Sequence, residues 1–210
     1  MDITFISDTH GLHDSLKLQR GTVLIHAGDI TEYGTEEEVK DFLKWFSNQP
    51  FTYKVFIAGN HDLFFQDCLV LKRDKLIPGG IIYLQNSFLE IENRKFWGSP
   101  VTPYFLGMAF NVRAGMDIKK VWDKIPGDTD VLITHGPPKG VLDNGIGCEE
   151  LWKRVNIVKP SIHCFGHAHG FSGVDEKNGI RFVNAAMVDG LDLLKSDVYK
   201  VVGKAVRLVI

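Results

Sequence analysis

Short runs of β-branched and aromatic residues recur along the chain, and most are closed by glycine, asparagine, aspartate or histidine. The runs predict strands over Ile3–Ser7, Val23–Ala27, Tyr53–Ala58, Ile81–Gln85, Phe88–Glu92, Val131–Thr134, Ile162–Phe165 and Phe182–Asn184. The tail Val198–Ile210 alternates through Val201, Ala205 and Leu208 and reads as a closing hairpin around Gly203. Between strands the period changes. Val39, Phe42, Leu43 and Phe46 recur at i, i+3, i+4, i+7, an apolar stripe on a helix. Thr35 and Glu38 have the spacing of a capping box at its start, and Pro50 stops it. Further helices are predicted near Ile118–Ile125, with Val121 and Trp122 inward, and near Glu149–Val158. Strands separated by helices early, then more strands late, predict two sheets packed together with helices outside.

The chain has 210 residues, the size of one domain spanning 1–210. Its 44% hydrophobic content suffices for a proper core. A formal charge of −2 offers no track for extended nucleic acid, though small anions and nucleic-acid ends stay open as partners. The three cysteines, Cys68, Cys148 and Cys164, form no CxxC pair and are read as reduced thiols in a cytoplasmic protein. The opening MDITFISDTH runs straight into a strand and is not read as a signal peptide, and no apolar run approaches a membrane span of ~20 residues. Nothing in the sequence sets the oligomeric state.

The chemistry lies at the strand ends. Asp8-Thr9-His10, Gly28-Asp29, Gly59-Asn60-His61-Asp62, His135-Gly136 and Gly166-His167-Ala168-His169 each follow a predicted buried strand. In open α/β sheets ligands bind beyond the carboxyl ends of the strands, so five such endings on one rim would make one site. Imidazole, carboxylate and amide, with no thiolate, suit Mn, Fe, Zn, Ni or Co. Seven donors (Asp8, His10, Asp29, Asn60, His135, His167 and His169) exceed what one ion uses, and fit two ions sharing a carboxylate. Asp29, after the second strand, is the candidate bridge. His167 and His169 are two apart and on extended backbone would point to one side and reach two adjacent ions. Each motif alone has an ordinary turn reading. Their joint occurrence carries the metal reading.

The set D-x-H, G-D, G-N-H-D, H-G and G-H-x-H, in that order over residues 8–169, resembles the calcineurin-like metallophosphoesterase superfamily. The pieces LIHAGDI, WGSPVTP, FNVRAG and THGPP further resemble a small branch of metallophosphoesterase-domain phosphodiesterases found in bacteria and animals. Some animal members of that branch lack the first histidine of G-H-x-H, which this chain keeps as His167. The resemblance implies an α/β, four-layer αββα sandwich of two mixed sheets flanked by helices. It assigns Asp8, His10, Asp29 and His169 to one divalent cation, and Asp29, Asn60, His135 and His167 to a second, manganese being the expected pair. The function it implies is hydrolysis of nucleotide-type phosphodiesters, including cyclic nucleotides, by a hydroxide shared between the ions. A phosphomonoesterase and a non-catalytic scaffold are the alternatives.

His61 is expected to be catalytic, facing the phosphoryl oxygen or leaving group, with Asp62 orienting it. Phe64, Phe65, Tyr104 and Phe105 are available as a stacking surface for a base, although Trp97 and Tyr104–Phe105 read more readily as core than as a base platform. His26 is read as a core or supporting histidine, His13 and His163 are not read as ligands, and Asp143 and Arg113 are read as surface or structural residues rather than pocket lining.

Overall fold

The alternating pattern resolves into two large sheets and a two-stranded one (Thr102–Pro103 with Asn111–Val112) in the computed structural model, which describes residues 1–189 and 200–210. In chain order the strands are β1 (Asp2–Ile6), β2 (Gly21–Ala27), β3 (Phe51–Ile57), β4 (Ile81–Tyr83), β5 (Ser87–Ile91), β6 (Arg94–Ser99), β7 (Thr102–Pro103), β8 (Asn111–Val112), β9 (Val131–Thr134), β10 (Ile162–Phe165), β11 (Gly173–Lys177), β12 (Ile180–Asn184) and β13 (Val206–Val209). The α-helices are α1 (Glu36–Ser47), α2 (Leu63–Asp67), α3 (Val70–Leu76), α4 (Met116–Trp122) and α5 (Glu149–Val158). One sheet has the order β13-β1-β2-β3-β4, parallel except for β13. The other has the order β11-β12-β10-β9-β6-β5, parallel through β12, β10, β9 and β6 with antiparallel edges.

Side-chain alternation then builds the layers. Ile3, Phe5, Val23, Ile25, Val55 and Ile57 of the first sheet meet Phe96, Val131, Ile133, Ile162, Cys164 and Val183 of the second in an inner core. The opposite face of the first sheet, with Leu24 and Phe56, is covered by Val39, Phe42, Leu43 and Phe46 of α1. The opposite face of the second, with Leu132, Phe165 and Phe182, is covered by Ile118 and Trp122 of α4 and Leu151 and Val155 of α5. The result is the expected helix–sheet–sheet–helix stack. Both halves of the Thr35–Glu38 capping box are formed at the start of α1. Among the described residues no helix is long and apolar enough to cross a membrane.

One expectation changes. The tail is not a hairpin around Gly203. Val206–Val209 instead pairs antiparallel with β1, in the register Asp2 to Val209, while the Gly203 amide donates to the Met187 carbonyl. Residues 198–199 of that expected hairpin lie outside the described ones. The five strands that end in polar motifs divide between the two sheets. β1, β2 and β3 belong to the first sheet, and β9 and β10 to the second. The docked sheets present both sets of endings at the same end of the sandwich.

Candidate metal centre

The loops after β1 and β2 are joined by their backbones. Asp8 N donates to Gly28 O (2.9 Å), and Thr9 N and His10 N both donate to Asp29 O (3.0 and 3.1 Å). Asp8, His10 and Asp29 have left-handed backbone, with φ of 52°, 42° and 52°. Such conformations cost energy in non-glycine residues and cluster where function demands a particular side-chain direction. Gly28 (φ 101°) has a reason to be glycine beyond its dihedral, because a Cβ there would lie 2.5 Å from His135 Nδ1 and 2.7 Å from the Ala58 carbonyl oxygen. A Cβ on Gly166 would stand 1.9 Å from Asp8 Oδ2, so the second sheet's loop reaches the carboxylate only as glycine.

All seven expected donors meet at this rim. Asp8, His10 and His169 form one group whose ligand atoms lie within 4.8 Å of one another, and Asp29, His135 and His167 form a second. Asp29 Oδ2 stands between them, 3.7 Å from His10 Nε2 and 3.2 Å from His135 Nε2. Asn60 completes the second group, with Oδ1 2.9 Å from His135 Nε2, while its Nδ2 donates to Met108 Sδ (3.2 Å). His167 and His169 therefore do fall into separate groups. They do so through left-handed backbone at His167 (φ 65°), with its amide donating to both Asp8 carboxylate oxygens at 3.0 Å, rather than through extended chain.

The electrostatics fit a pair of cations. Asp8 and Asp29 are buried, and among the described residues neither pairs with a lysine or arginine. Isolated buried carboxylates are costly, so this rim calls for positive charge. Without metal the imidazoles supply it. Burial alone would raise the Asp8 carboxyl, but the bond from His169 and the charges of His169 and His135 hold it well below the usual range. Burial works the same way on Asp29 and is outweighed by His135, His61 and His10. At His135, burial disfavours the charged ring, yet Asp29 outweighs it and the imidazole rises to about 9. His135 Nδ1 donates to the Ala27 carbonyl (2.9 Å), which leaves Nε2 facing two acceptors, Asp29 Oδ2 and Asn60 Oδ1. A divalent cation in place of the Nε2 proton would satisfy all three atoms at once. Burial and the His135 charge push His167 down to about 4, leaving a neutral ring suited to ligation.

His61 Nδ1 donates to the Glu32 carbonyl (2.9 Å) and its amide donates to Asp29 Oδ1 (2.8 Å). The side chain is 22% exposed, with Nε2 as its second ring nitrogen. Asp62 does not fit the orienting role expected of it. It is fully buried, and its carboxylate accepts from Gly59 N (2.7 Å), Thr31 Oγ1 (2.6 Å), Thr31 N (3.0 Å) and Ile30 N (3.3 Å). It braces the loop after β2 against the loop after β3. Burial, reinforced by Asp29, pushes the Asp62 carboxyl up to about 6. The aromatic candidates divide. Phe65 and Trp97 are core, whereas Tyr104 and Phe105 depart from the core reading and are 64% and 61% exposed on the loop that carries Met108 to Asn60. Asp143 accepts from Gly140 N and Gly147 N within its own turn, the structural role expected of it. His13, His26 and His163 are buried and stand outside both donor groups.

Glu32 escaped the sequence reading. It stands three residues after Asp29, and its Oε2 accepts from His10 Nδ1 at 2.8 Å. Nothing in its spacing marks it out. The available clue was the Thr35–Glu38 box, which pins the short loop to which Glu32 belongs.

Comparison with known proteins agrees with this geometry. A family model described as calcineurin-like phosphoesterase matches residues 1–171. The chain is 39% identical over 210 residues to metallophosphoesterase domain-containing protein 1 of Homo sapiens, an alignment covering 87% of this chain and 64% of that protein. A Caenorhabditis elegans UPF0046 protein is 36% identical over 202 residues, covering 89% of this chain and 69% of its own length. The chain thus spans just under two thirds of the human relative. Among solved structures, the protein TT1561 of Thermus thermophilus superposes with a TM-score of 0.61 at 13% identity, over 87% of this chain and 88% of that one. At that identity the likeness speaks for the fold alone.

Proposed function

The chain belongs to the calcineurin-like phosphoesterase family, and from that premise we propose that it is a metal-dependent phosphodiesterase acting on nucleotide-type diesters, cyclic nucleotides among them. The observation that carries the reading is Asp29, one carboxylate within reach of both donor groups. Asp8, His10, Asp29 and His169 would hold one cation. Asp29, Asn60, His135 and His167 would hold the other. Oxygen and nitrogen donors without thiolate support manganese as the native pair. When bound, such a pair would neutralise phosphoryl oxygens and lower the pKa of coordinated water toward ~7.

The chain's own groups supply the rest. The Glu32 carbonyl keeps a proton on His61 Nδ1, which directs Nε2 to substrate. From there His61 would stabilise a phosphoryl oxygen or carry a proton to the leaving group. Exposed Tyr104 and Phe105, on the loop that touches Asn60 through Met108, support a flat apolar surface on which a base could stack. Three unpaired cysteines support a reducing, cytoplasmic setting.

The purified protein, incubated with Mn²⁺, would be offered bis-p-nitrophenyl phosphate beside p-nitrophenyl phosphate. Faster turnover of the diester is expected. His61→Ala should retain both cations and slow turnover about 10²–10⁴-fold. Preference for the monoester would replace the reading with a phosphomonoesterase, and no turnover with any divalent metal would replace it with a non-catalytic scaffold.

A further inference from the structure

We propose that Glu32 is a positioning residue that sets the proton on His10 and, through its backbone, on His61, tying the first cation's ligand to the group that faces substrate. The proposal rests on the two-cation reading above. His10 is buried, and its Nδ1 lies 2.8 Å from Glu32 Oε2. A carboxylate only accepts, so Nδ1 carries the proton and the lone pair of Nε2 is left for a cation. That Nε2 faces the shared rim, 3.7 Å from Asp29 Oδ2. The Glu32 carbonyl fixes the same tautomer in His61 by accepting from its Nδ1 at 2.9 Å, and the two imidazoles meet edge to face with centroids 4.6 Å apart. One residue thus determines which nitrogen each ring offers.

Glu32 is itself held. Its amide donates to Glu38 Oε1 (2.9 Å), and Tyr33 N and Thr35 N donate to the same carboxylate (3.1 and 2.9 Å). The N-terminus of α1 therefore anchors the residue that orients the ligand. His10, Glu32 and His61 also group closely enough to suggest a third cation. The 2.8 Å bond argues instead for a carboxylate–histidine arrangement, in which a second-layer acid orients a metal-bound ring and raises its basicity.

Isothermal titration of metal-stripped protein with Mn²⁺ tests the assignment in wild type, Glu32→Ala and Glu32→Gln. Wild type should take up two cations per chain. Glu32→Ala should bind one of them about 10–100-fold more weakly and the other unchanged. Glu32→Gln, whose Oε1 still accepts from Nδ1–H, should stay within a few-fold of wild type. Two cations bound by Glu32→Ala with wild-type affinity would overturn the assignment. So would equal weakening of both sites in both variants together with a lowered melting temperature, the mark of a merely structural role. Failure of wild type to bind any cation would overturn the two-cation reading, and this proposal with it.

Discussion

His163 shows how a single buried group sets a pH dependence. Its Nε2 lies 2.9 Å from Thr134 Oγ1, and that hydroxyl donates to the Gly136 carbonyl (2.7 Å). The hydroxyl proton is thus committed, so His163 Nε2–H is the donor and Nδ1 is bare, with no partner among the described residues. Burial pushes its pKa down to about 3, against ~6.5 in an unfolded chain. As pH falls below ~6.5 the unfolded chain takes a proton that the folded chain refuses, so stability is lost as pH falls from ~6.5 towards 3, by about 1.4 kcal/mol per pH unit. Urea unfolding of metal-free protein between pH 4.5 and 7 should show a steeper slope for wild type than for His163→Leu by that amount. Parallel slopes would contradict the assignment. Asp62 teaches the opposite lesson at the same scale. Its place after Gly59-Asn60-His61 suggested a partner for His61, but four donors from Gly59, Ile30 and Thr31 were closer to hand. A sequence shows which residues stand near a motif, not which of the surrounding amides a carboxylate will meet.

At the scale of elements, α1 was fully legible because cap, stripe and stop all agree. Thr35→Ala removes the acceptor for the Glu38 amide and should cost about 0.5–2 kcal/mol, read from the shift of the urea midpoint. An unchanged midpoint would mean that the box contributes nothing. The strands that end in motifs were legible too, since β9 and β10 are unbroken buried runs bounded by polar residues. β6 was not predicted. It opens on Arg94-Lys95, and its turn from β5 uses Glu92 and Asn93 at φ 48° and 61°, where the expected chemistry is Asn-Gly. Asn178-Gly179 does announce the β11–β12 hairpin, but Asp175-Glu176-Lys177 gives its first arm no apolar alternation. α3 buries no residue and exposes Val70 and Leu71, so it lacks the stripe by which a helix is recognised. The tail alternates as a strand should. Its partner, β1, lies at the opposite end of the sequence, beyond the reach of local pattern.

At the scale of the molecule, the site exists because two sheets are docked. The first contributes Asp8, His10, Asp29 and Asn60 from the ends of β1, β2 and β3. The second contributes His135, His167 and His169 from the ends of β9 and β10. The inner core of Ile25, Ile57, Ile133 and Cys164 brings the two half-sites face to face. The donor types and their order were readable in the sequence, their division into two groups was implied by the family resemblance, and the stacked sheets bring each group together. Manganese-soaked crystals, examined by anomalous diffraction, test that arrangement most directly. Two peaks per chain are expected, one on each side of the Asp29 carboxylate, beside Asp8–His10–His169 and beside Asn60–His135–His167, with Asp29→Ala losing both. A single peak away from Asp29, or two peaks that persist in Asp29→Ala, would contradict the account.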